Sequence, residues 1–267
     1  MYFTRNGTSY WYEIEGEGKP VVLLHGFTGD SGTWSRFVSE WKHEFKLLVI
    51  DLPGHGKTVS ERSVTMEACC ADLAGLFAEL GLHQVHILGY SMGGRTALSF
   101  AMLHPEKVSS MTLESTSPGL NDEKERTARV NRDEQLAKRL ERDGIVAFVD
   151  FWENIPLFQT QKKLPEMIRQ SIRDERLSQS AAGLAMSLRS MGTGIQPSWW
   201  DRLEELKLPV LLIAGAYDNK FVGINKIMVN HMPEADLMVV EKAGHAIHVE
   251  QPQFFGKIVI EFLQSIS

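Results

Sequence analysis

The chain has 267 residues, of which 43% are hydrophobic and 23% are charged, a composition typical of a folded domain with one sizeable core. The formal net charge of −6 does not favour nucleic acid or an anionic membrane as a partner. No apolar run approaches membrane-spanning length and the N-terminus lacks the apolar core of a signal peptide, so we expect a cytoplasmic protein without membrane insertion.

Short apolar runs alternate with helical patterns along most of the chain, which predicts a mostly parallel, twisted sheet flanked by helices on both faces. A small antiparallel start is expected around the segment SYWYEIEG. Buried strands are predicted at 21–25, 47–51, 85–90, 111–115, 210–215 and 237–241. Helices are predicted near 34–43, 66–80, 94–104 and 252–265.

The alternation stops after Pro118 and resumes at the segment LPVLLIAG. The residues between show no convincing strand pattern, and their helical stretches are rich in charge, which predicts an all-helical insertion. We expect this insertion, residues 118–202, to form a cap at the carboxyl edge of the sheet. Residues 1–117 and 203–267 would then form the core.

The string Gly89-Tyr90-Ser91-Met92-Gly93 directly follows a predicted strand and directly precedes a predicted helix. In this context G-x-S-x-G is typical of a nucleophile elbow, a tight turn whose glycines let neighbouring chain pass close by. The elbow exposes the serine hydroxyl beside a helix N-terminus, whose dipole favours negative charge. Ser91 is therefore the predicted nucleophile, and we expect Tyr90 beside it to contact the substrate.

A serine hydroxyl needs a base to take its proton, and the base needs a carboxylate to orient it. His245 follows the predicted strand at 237–241, and Asp218 follows the strand at 210–215. The order Ser, Asp, His along the chain is the order of the α/β-hydrolase fold. We therefore predict this fold, with Ser91, Asp218 and His245 as the catalytic triad.

The segment HGFTG at 25–29 directly follows the first predicted buried strand, as does the loop that supplies one oxyanion-hole amide in this fold. The backbone N–H groups of Phe27 and Met92 are the expected donors. His55 and His248 are interpreted as structural residues. No group of residues has metal-ligand spacing and no glycine-rich dinucleotide motif occurs, so we expect neither a metal nor a cofactor.

Arg95 lies four positions after Ser91, one turn into the elbow helix, so its side chain starts on the same side as the nucleophile. A charge beside a buried active site is costly unless it is paired. Either a structural acid pairs Arg95 or a carboxylate of the substrate does. The guanidinium suits the second role because its planar fork can hold a carboxylate through two hydrogen bonds.

The predicted cap adds further cationic candidates. Residues 121–143 contain seven Lys/Arg and seven Asp/Glu, so a solvated helix is the default interpretation for most of this stretch. The arginines that could point down at the site are Arg126, Arg129, Arg176 and Arg189.

Six segments carry a family resemblance: HGFTGDSGTW, DLPGHGKT, GYSMGGR, LESTSPGL, GAYDNKF and KAGHAIHVEQP. Together they resemble the 2-succinyl-6-hydroxy-2,4-cyclohexadiene-1-carboxylate synthases (MenH), the menaquinone-biosynthesis lyases of this fold. The resemblance covers nearly the whole chain, including the cap. HGF and G-x-S-x-G are general to the superfamily, whereas GYSMGGR, the run from ES to SPGL and the KF after the acid are more particular.

The resemblance implies elimination of pyruvate from a cyclohexene intermediate that bears three carboxylates. His245 would activate Ser91, whose alkoxide removes the ring proton. The amides of Phe27 and Met92 would stabilise the charge that develops on the succinyl carbonyl oxygen, and C–O cleavage would then expel pyruvate. Such a mechanism is proton abstraction rather than acyl transfer.

The carboxylate-binding arginines of the family carry over to Arg95 and Arg129. The third carries over to Arg176 when residues are counted back from the QP dipeptide near the end of the cap. Counting forward from FWENIPLF selects Arg173 instead. Trp152, in the same segment, matches a cap tryptophan that lines the pocket.

Two alternatives stay open. The same triad would serve a carboxylesterase or a C–C bond hydrolase, although a neutral ester would not require Arg95. A non-enzymatic ligand receptor would keep the fold without turnover. The expected partner is a small polycarboxylate, with no nucleic acid, and the protein is expected to be a monomer or a weak homo-oligomer.

Overall fold

The computed structural model describes residues 1–266. Its strands are β1 (Tyr2–Arg5), β2 (Thr8–Glu15), β3 (Lys19–Leu24), β4 (Phe45–Ile50), β5 (Val59–Ser60), β6 (Val85–Tyr90), β7 (Val108–Glu114), β8 (Val210–Gly215) and β9 (Ala235–Val240). Its α-helices are α1 (Ser35–Trp41), α2 (Met66–Glu79), α3 (Met92–Leu103), α4 (Glu123–Trp152), α5 (Glu166–Leu177), α6 (Ala181–Met191), α7 (Asn219–His231), α8 (Ile247–Glu250) and α9 (Pro252–Ser265).

The strands form one sheet in the order β1-β2-β4-β3-β6-β7-β8-β9, with β5 paired to β2. From β4 to β9 the neighbours are parallel, whereas β1, β2 and β5 pair antiparallel. Every residue of β6 and of β8 is buried, as expected for strands covered on both faces. The carboxyl ends of the parallel strands therefore meet at one edge, where the loops after β3, β6, β8 and β9 can share a site.

The predicted mostly parallel sheet is confirmed, and each of the six strands predicted as buried overlaps an observed strand. The strand predicted at 237–241 is not buried as expected, because β9 is the edge strand of the sheet and only Val240 in it is fully buried. The four predicted helices correspond to α1, α2, α3 and α9. The sequence pattern did not predict α7, which follows β8 after only three residues. Asp218 begins this helix, because its carboxylate accepts a hydrogen bond from the Phe221 N–H (3.3 Å).

The helices α4, α5 and α6 and a 3₁₀ helix at Pro156–Lys163 all lie between β7 and β8. Gly144 interrupts α4 with φ 75°, a backbone conformation that glycine adopts without steric cost. These helices have a small apolar cluster of their own, formed by Ala137, Leu140, Phe148, Leu184, Ala185 and Leu188. Phe27, in the loop after β3, packs against this cluster and so supports the helical segment from the side of the sheet.

Polar contacts also join the helical segment to the loops of the sheet. Glu175 in α5 accepts hydrogen bonds from the Thr33 hydroxyl and from the Asp30 backbone N–H (3.2 Å). Gln179 donates to the Asp30 carboxylate (3.0 Å) and accepts from the Gly56 N–H (2.9 Å). The C-terminal end of α5 is thereby tied to the loops that follow β3 and β4.

Glu175 is expected to make the stability of the protein depend on pH. Burial raises the pKa of this carboxyl above its ordinary value of 4.5 and Asp30 adds to the effect, against an opposing hydrogen bond from Thr33. Since the folded state holds this proton more tightly than the unfolded chain, the wild type should lose stability relative to Glu175→Gln as the pH rises above about 4.5. Urea unfolding of both proteins between about pH 4 and about pH 7 measures this difference.

The glutamine variant keeps the acceptor oxygen and removes only the charge. Glu175→Ala is the matched control: it loses both hydrogen bonds and should be destabilised by about 1–2 kcal/mol. A stability difference between Glu175→Gln and the wild type that shrinks with rising pH would contradict the assignment, because it would mean that the ionised carboxylate is favoured in the folded protein.

No helix among residues 1–266 combines the length and the apolar character that crossing a bilayer requires.

Candidate active site

Ser91 lies at the sharp turn between β6 and α3. Its φ of 51° is in the left-handed region, which a non-glycine residue adopts only where the surroundings enforce it. A side chain at Gly89 would meet the backbone of Gly93, and one at Gly93 would meet the backbone of Leu24 in β3. The Ser91 N–H donates to the Glu114 carbonyl in β7 (2.8 Å). The glycines of the motif are thus required by close backbone approach.

The three predicted triad residues meet at the carboxyl edge of the sheet. His245 Nε2 lies 3.1 Å from Ser91 Oγ, and His245 Nδ1 lies 2.7 Å from Asp218 Oδ2. His245 and Asp218 are 2% and 8% exposed, so little water competes for these hydrogen bonds. With Nδ1 protonated toward the carboxylate, Nε2 is free to accept the serine proton.

Residues at the end of β7 hold the histidine loop in place. The Ser115 hydroxyl donates to the His245 carbonyl (2.8 Å). The buried carboxylate of Glu114 accepts hydrogen bonds from His248 Nδ1 (2.8 Å) and from the His248 N–H (3.0 Å). His248 was predicted to be structural, whereas Glu114 and Ser115 were not predicted to take part in the site; their signal is the segment LEST, in which polar residues end an apolar strand.

A cleft of about 800 Å³ opens above Ser91. Phe27 and Met92 both line it, on the two loops that supply oxyanion-hole amides in the predicted fold. The Met92 N–H belongs to the first turn of α3, where amides have no acceptor within the helix. The arrangement places unpaired donors at the positive end of a helix next to the nucleophile.

Arg95 lines the same cleft, and its backbone N–H donates to the Ser91 carbonyl (3.0 Å), one helical turn away. Its guanidinium donates to the Met191 carbonyl (2.8 Å) and to the Gln196 side-chain oxygen. Within residues 1–266 no carboxylate lies within 4.0 Å of it. Burial, with a smaller effect of Arg129, lowers the pKa of Arg95 to about 9. This cation is held by neutral oxygens, so a negative ligand in the cleft would satisfy it best.

Arg129 also lines the cleft, on α4. Its Nε donates to both oxygens of Asp133 (2.8 and 3.0 Å), a carboxyl whose pKa is raised by burial against the opposing effect of Arg129. This bifurcated contact uses only Nε, which leaves the two terminal nitrogens for another acceptor. Asp133 therefore orients Arg129 over the cleft.

Trp152, at the end of α4, forms part of the cleft wall. Its ring stacks on Phe148 (centroids 5.4 Å apart) and meets Phe27 edge-on (5.4 Å). The indole Nε1–H is buried without an acceptor among residues 1–266. Buried donors are seldom left unpaired, so this group is suited to donate to a bound ligand.

Two expected site residues are not brought to the lining of this cleft. Arg176 faces a second cavity of about 330 Å³, with its guanidinium 4.6 Å from the Phe158 ring centroid and 3.1 Å from the Gln161 side-chain oxygen. The same Phe158 ring lies 6.2 Å from the ring of His245, so it contacts both Arg176 and His245. Tyr90 packs its ring against His245 (5.5 Å) and is buried.

The remaining cap arginines have partners outside the cleft. Arg173 and Arg189 each form two ion pairs with acids of the helical segment. Arg126 donates to a backbone carbonyl. None of the three lines the cleft.

Sequence analysis did not single out two cations that line the cleft, Arg132 on α4 and Lys220 on α7. The signal for Arg132 is its position one turn after Arg129. Lys220 occurs in the segment GAYDNKF, but its orientation depends on α7, which was not predicted. Among residues 1–266, no group of three or more His, Cys, Asp or Glu side chains is arranged to hold a metal ion.

Comparison with known proteins identifies relatives of this site. The family model for the alpha/beta hydrolase fold matches residues 19–252. A protein of Bacillus subtilis (strain 168) named "Putative 2-succinyl-6-hydroxy-2,4-cyclohexadiene-1-carboxylate synthase" is 49% identical over 262 residues, 96% of this chain and 95% of that protein. The structure of MenH from S. aureus superposes with a TM-score of 0.92 at 38% identity, covering 96% of this chain and 98% of that one. A thermophilic esterase from Thermogutta terrifontis, crystallised with malate, superposes with a TM-score of 0.87 at 28% identity, covering 97% and 94%.

Proposed function

The chain belongs to the α/β-hydrolase fold family and, within it, to the 2-succinyl-6-hydroxy-2,4-cyclohexadiene-1-carboxylate synthases, and from that premise we propose that it is a lyase of menaquinone biosynthesis. Its substrate is the succinyl-enolpyruvyl-hydroxycyclohexene-carboxylate intermediate, from which it eliminates pyruvate. The small-molecule substrate fits a cleft of about 800 Å³, which lies in the size range of ligand sites.

The observation that carries the proposal is Arg95 in the same cleft as Ser91, held by two neutral oxygens and by no carboxylate among residues 1–266. A guanidinium so placed favours an anionic ligand, because the neutral contacts compensate its loss of solvation only in part. Arg129, oriented by a buried aspartate, adds a second cation on the opposite, helical side of the cleft. A polycarboxylate satisfies both cations, whereas a neutral ester satisfies neither.

The geometry is suited to proton abstraction. His245 Nε2, 3.1 Å from Ser91 Oγ, takes the hydroxyl proton, and Asp218 stabilises the imidazolium that results. The Ser91 alkoxide then removes the ring proton next to the succinyl carbonyl. Electron density moves onto that carbonyl oxygen, where the amides of Phe27 and Met92 donate hydrogen bonds, and returns to break the C–O bond between the ring and the enolpyruvyl group. The departing oxygen takes the proton from the His245 imidazolium, Ser91 keeps the ring proton as its hydroxyl proton, and the released enolpyruvate tautomerises to pyruvate.

The cap and the other binding residues are part of the same proposal. We assign residues 118–202 to the cap, since α4, α5 and α6 fall inside these bounds. Trp152 supplies an unpaired indole donor to the substrate. Tyr90 and Arg176, expected from the sequence to bind the substrate, instead lie behind the rings of His245 and Phe158, and we assign them to positioning these two rings. We also assign the enzyme to the cytoplasm, as a monomer or weak homo-oligomer that does not bind nucleic acid, in keeping with its net charge of −6.

A coupled absorbance assay tests the proposal. Purified protein is mixed with the freshly generated tricarboxylate intermediate, and the release of pyruvate is compared with the spontaneous rate. The wild type should accelerate release by at least about 10⁶-fold, the lower end of typical enzymatic enhancements. Release at the spontaneous rate would rule the lyase out.

A carboxylesterase is the second candidate, and the likeness to the Thermogutta terrifontis esterase, with a TM-score of 0.87 at 28% identity, is the observation that favours it. Small activated esters are therefore assayed in parallel. We expect their kcat/KM to be far below that of the tricarboxylate, because their acyl groups leave Arg95 and Arg129 without a partner. Higher turnover of the esters would favour the hydrolase over the lyase.

A further inference from the structure

The cleft carries more positive charge than Arg95 and Arg129 account for. Its charged lining among residues 1–266 consists of the cations Arg95, Arg129, Arg132 and Lys220 and the acids Asp122 and Glu125. Asp122 caps α4 by accepting from the Glu125 N–H (2.8 Å), so its carboxylate is already engaged. Arg132 and Lys220 form no ion pair within 4.0 Å in the described part of the chain.

Lys220 occupies an unfavourable place for a cation. It is the second residue of α7, and the first turn of a helix has a positive partial charge that disfavours lysine. The residue is adjacent to the triad, because α7 begins immediately after Asp218. Its Nζ lies 5.5 Å from the centroid of the Phe221 ring, which in turn lies 4.7 Å from the ring of His245. Neither helix stability nor an ion pair explains a lysine at this position.

Lys220 also faces like charges across the cleft. Arg129 and Arg132 lie one turn apart on α4 of the helical segment, whereas Lys220 lies on α7, which follows β8 of the sheet. Burial and then Arg129 lower the pKa of Lys220, Arg132 lowers it further, and Asp218 and Glu125 oppose them. Cations that converge from two sides of one cleft repel each other, and an anion between them would relieve the repulsion.

We propose that Lys220 is a substrate-binding residue whose ammonium holds one carboxylate of the substrate against Arg129 and Arg132 of α4. This inference rests on the proposed function, because it requires a substrate with more carboxylates than Arg95 and Arg129 can bind. Arg176 lines the second cavity and not the cleft. Lys220 is therefore the cation that, beside Arg95 and Arg129, is available for a third carboxylate in the cleft. Since Lys220 is exposed and Arg95 is half-buried, the carboxylate on Lys220 is the outermost one. This carboxylate would bridge Lys220 on α7 and the arginines on α4, and so connect the core to the helical segment.

The test compares Lys220→Met with Lys220→Arg and with Lys226→Met. Lys226 is an exposed lysine on the same helix that does not line the cleft, so it is a matched control for the loss of one positive charge. For Lys220→Met we expect the KM for the tricarboxylate to rise about tenfold and kcat to stay within about threefold of wild type, because the contact is made in both the ground state and the transition state. Lys220→Arg should restore most of the affinity, and Lys226→Met should behave as wild type.

Ionic strength gives a second readout that a purely structural role would not change. The kcat/KM of the wild type should fall as salt is added, and that of Lys220→Met should fall less steeply. Thermal unfolding of each variant establishes that it is folded, and Lys220→Gln replaces Lys220→Met if the methionine variant is not.

The outcomes separate this inference from the proposed function. If the wild type releases no pyruvate, both fail. If the wild type is active but Lys220→Met has the KM and the salt dependence of Lys226→Met, the role of Lys220 alone is overturned. A fall in kcat with an unchanged KM would also overturn it, since the residue would then act on the chemical step.

Discussion

Replacing Ser91 with alanine is expected to slow pyruvate release by about a thousandfold or more. The serine Oγ lies 3.1 Å from His245 Nε2 and is the atom from which the base takes a proton. Without it, the cleft retains its cations and its oxyanion amides but has no group positioned to remove the ring proton. Steady-state rates of pyruvate release by both proteins measure the effect, with the KM expected to change by less than about threefold.

Ser39→Ala, at an exposed position on α1, is the control and should behave as wild type. Residual activity above about a tenth of wild type would mean that His245 abstracts the proton directly. The intact mass of wild-type enzyme quenched during turnover distinguishes elimination from acyl transfer. Elimination predicts no covalent adduct, whereas a mass increase would indicate the acyl-enzyme of the hydrolase alternative.

Replacing Arg95 with methionine is expected to lower kcat/KM for the tricarboxylate by about a hundredfold, with no loss of thermal stability. In the free protein the guanidinium is bound by the Met191 carbonyl and the Gln196 side chain, which do not compensate its charge. Methionine is similar in length and apolar, so removing the buried charge costs the fold little. Under the proposed function, the substrate would lose a cation that binds one of its carboxylates.

The kcat/KM of Arg95→Lys should lie between those of the wild type and Arg95→Met, because lysine keeps the positive charge but not the planar fork of the guanidinium. Arg189→Met is the control for loss of a cap arginine, since Arg189 forms surface ion pairs outside the cleft. Unfolding curves are recorded alongside the kinetics. If Arg95→Met were destabilised by several kcal/mol and the remaining folded protein kept its kcat/KM, Arg95 would be a structural residue rather than a substrate ligand.

The fold and the three triad residues could be predicted from local sequence patterns. Ser91, Asp218 and His245 each lie at or shortly after the carboxyl end of a strand whose apolar run is recognisable, and parallel strands bring their carboxyl ends to one edge. Local pattern is therefore sufficient to bring three residues together that lie up to 154 positions apart in the chain. The need for glycines at the elbow could also be predicted, because the G-x-S-x-G motif implies a tight turn that neighbouring backbone approaches closely, as the backbone of β3 approaches Gly93.

Which cations line the cleft depends on tertiary packing. Helical spacing assigns Arg129, Arg173, Arg176 and Arg189 to helix faces, but the packing of α4 against α5 and α6 decides what each face meets. Arg129 and Arg95 reach the cleft, while Arg173 and Arg189 pair with neighbouring acids.

Lys220 shows the same limit most clearly. Its helix begins because the Asp218 carboxylate caps it while also orienting His245, so one residue serves both the fold and the site. No local sequence pattern indicates that Asp218 both caps α7 and orients His245. Without a prediction of α7, the orientation of the Lys220 side chain cannot be predicted. The side chains that follow strands were predictable because the sheet positions them. Those on the cap and on α7 were not, because their partners are set by contacts between elements distant in sequence.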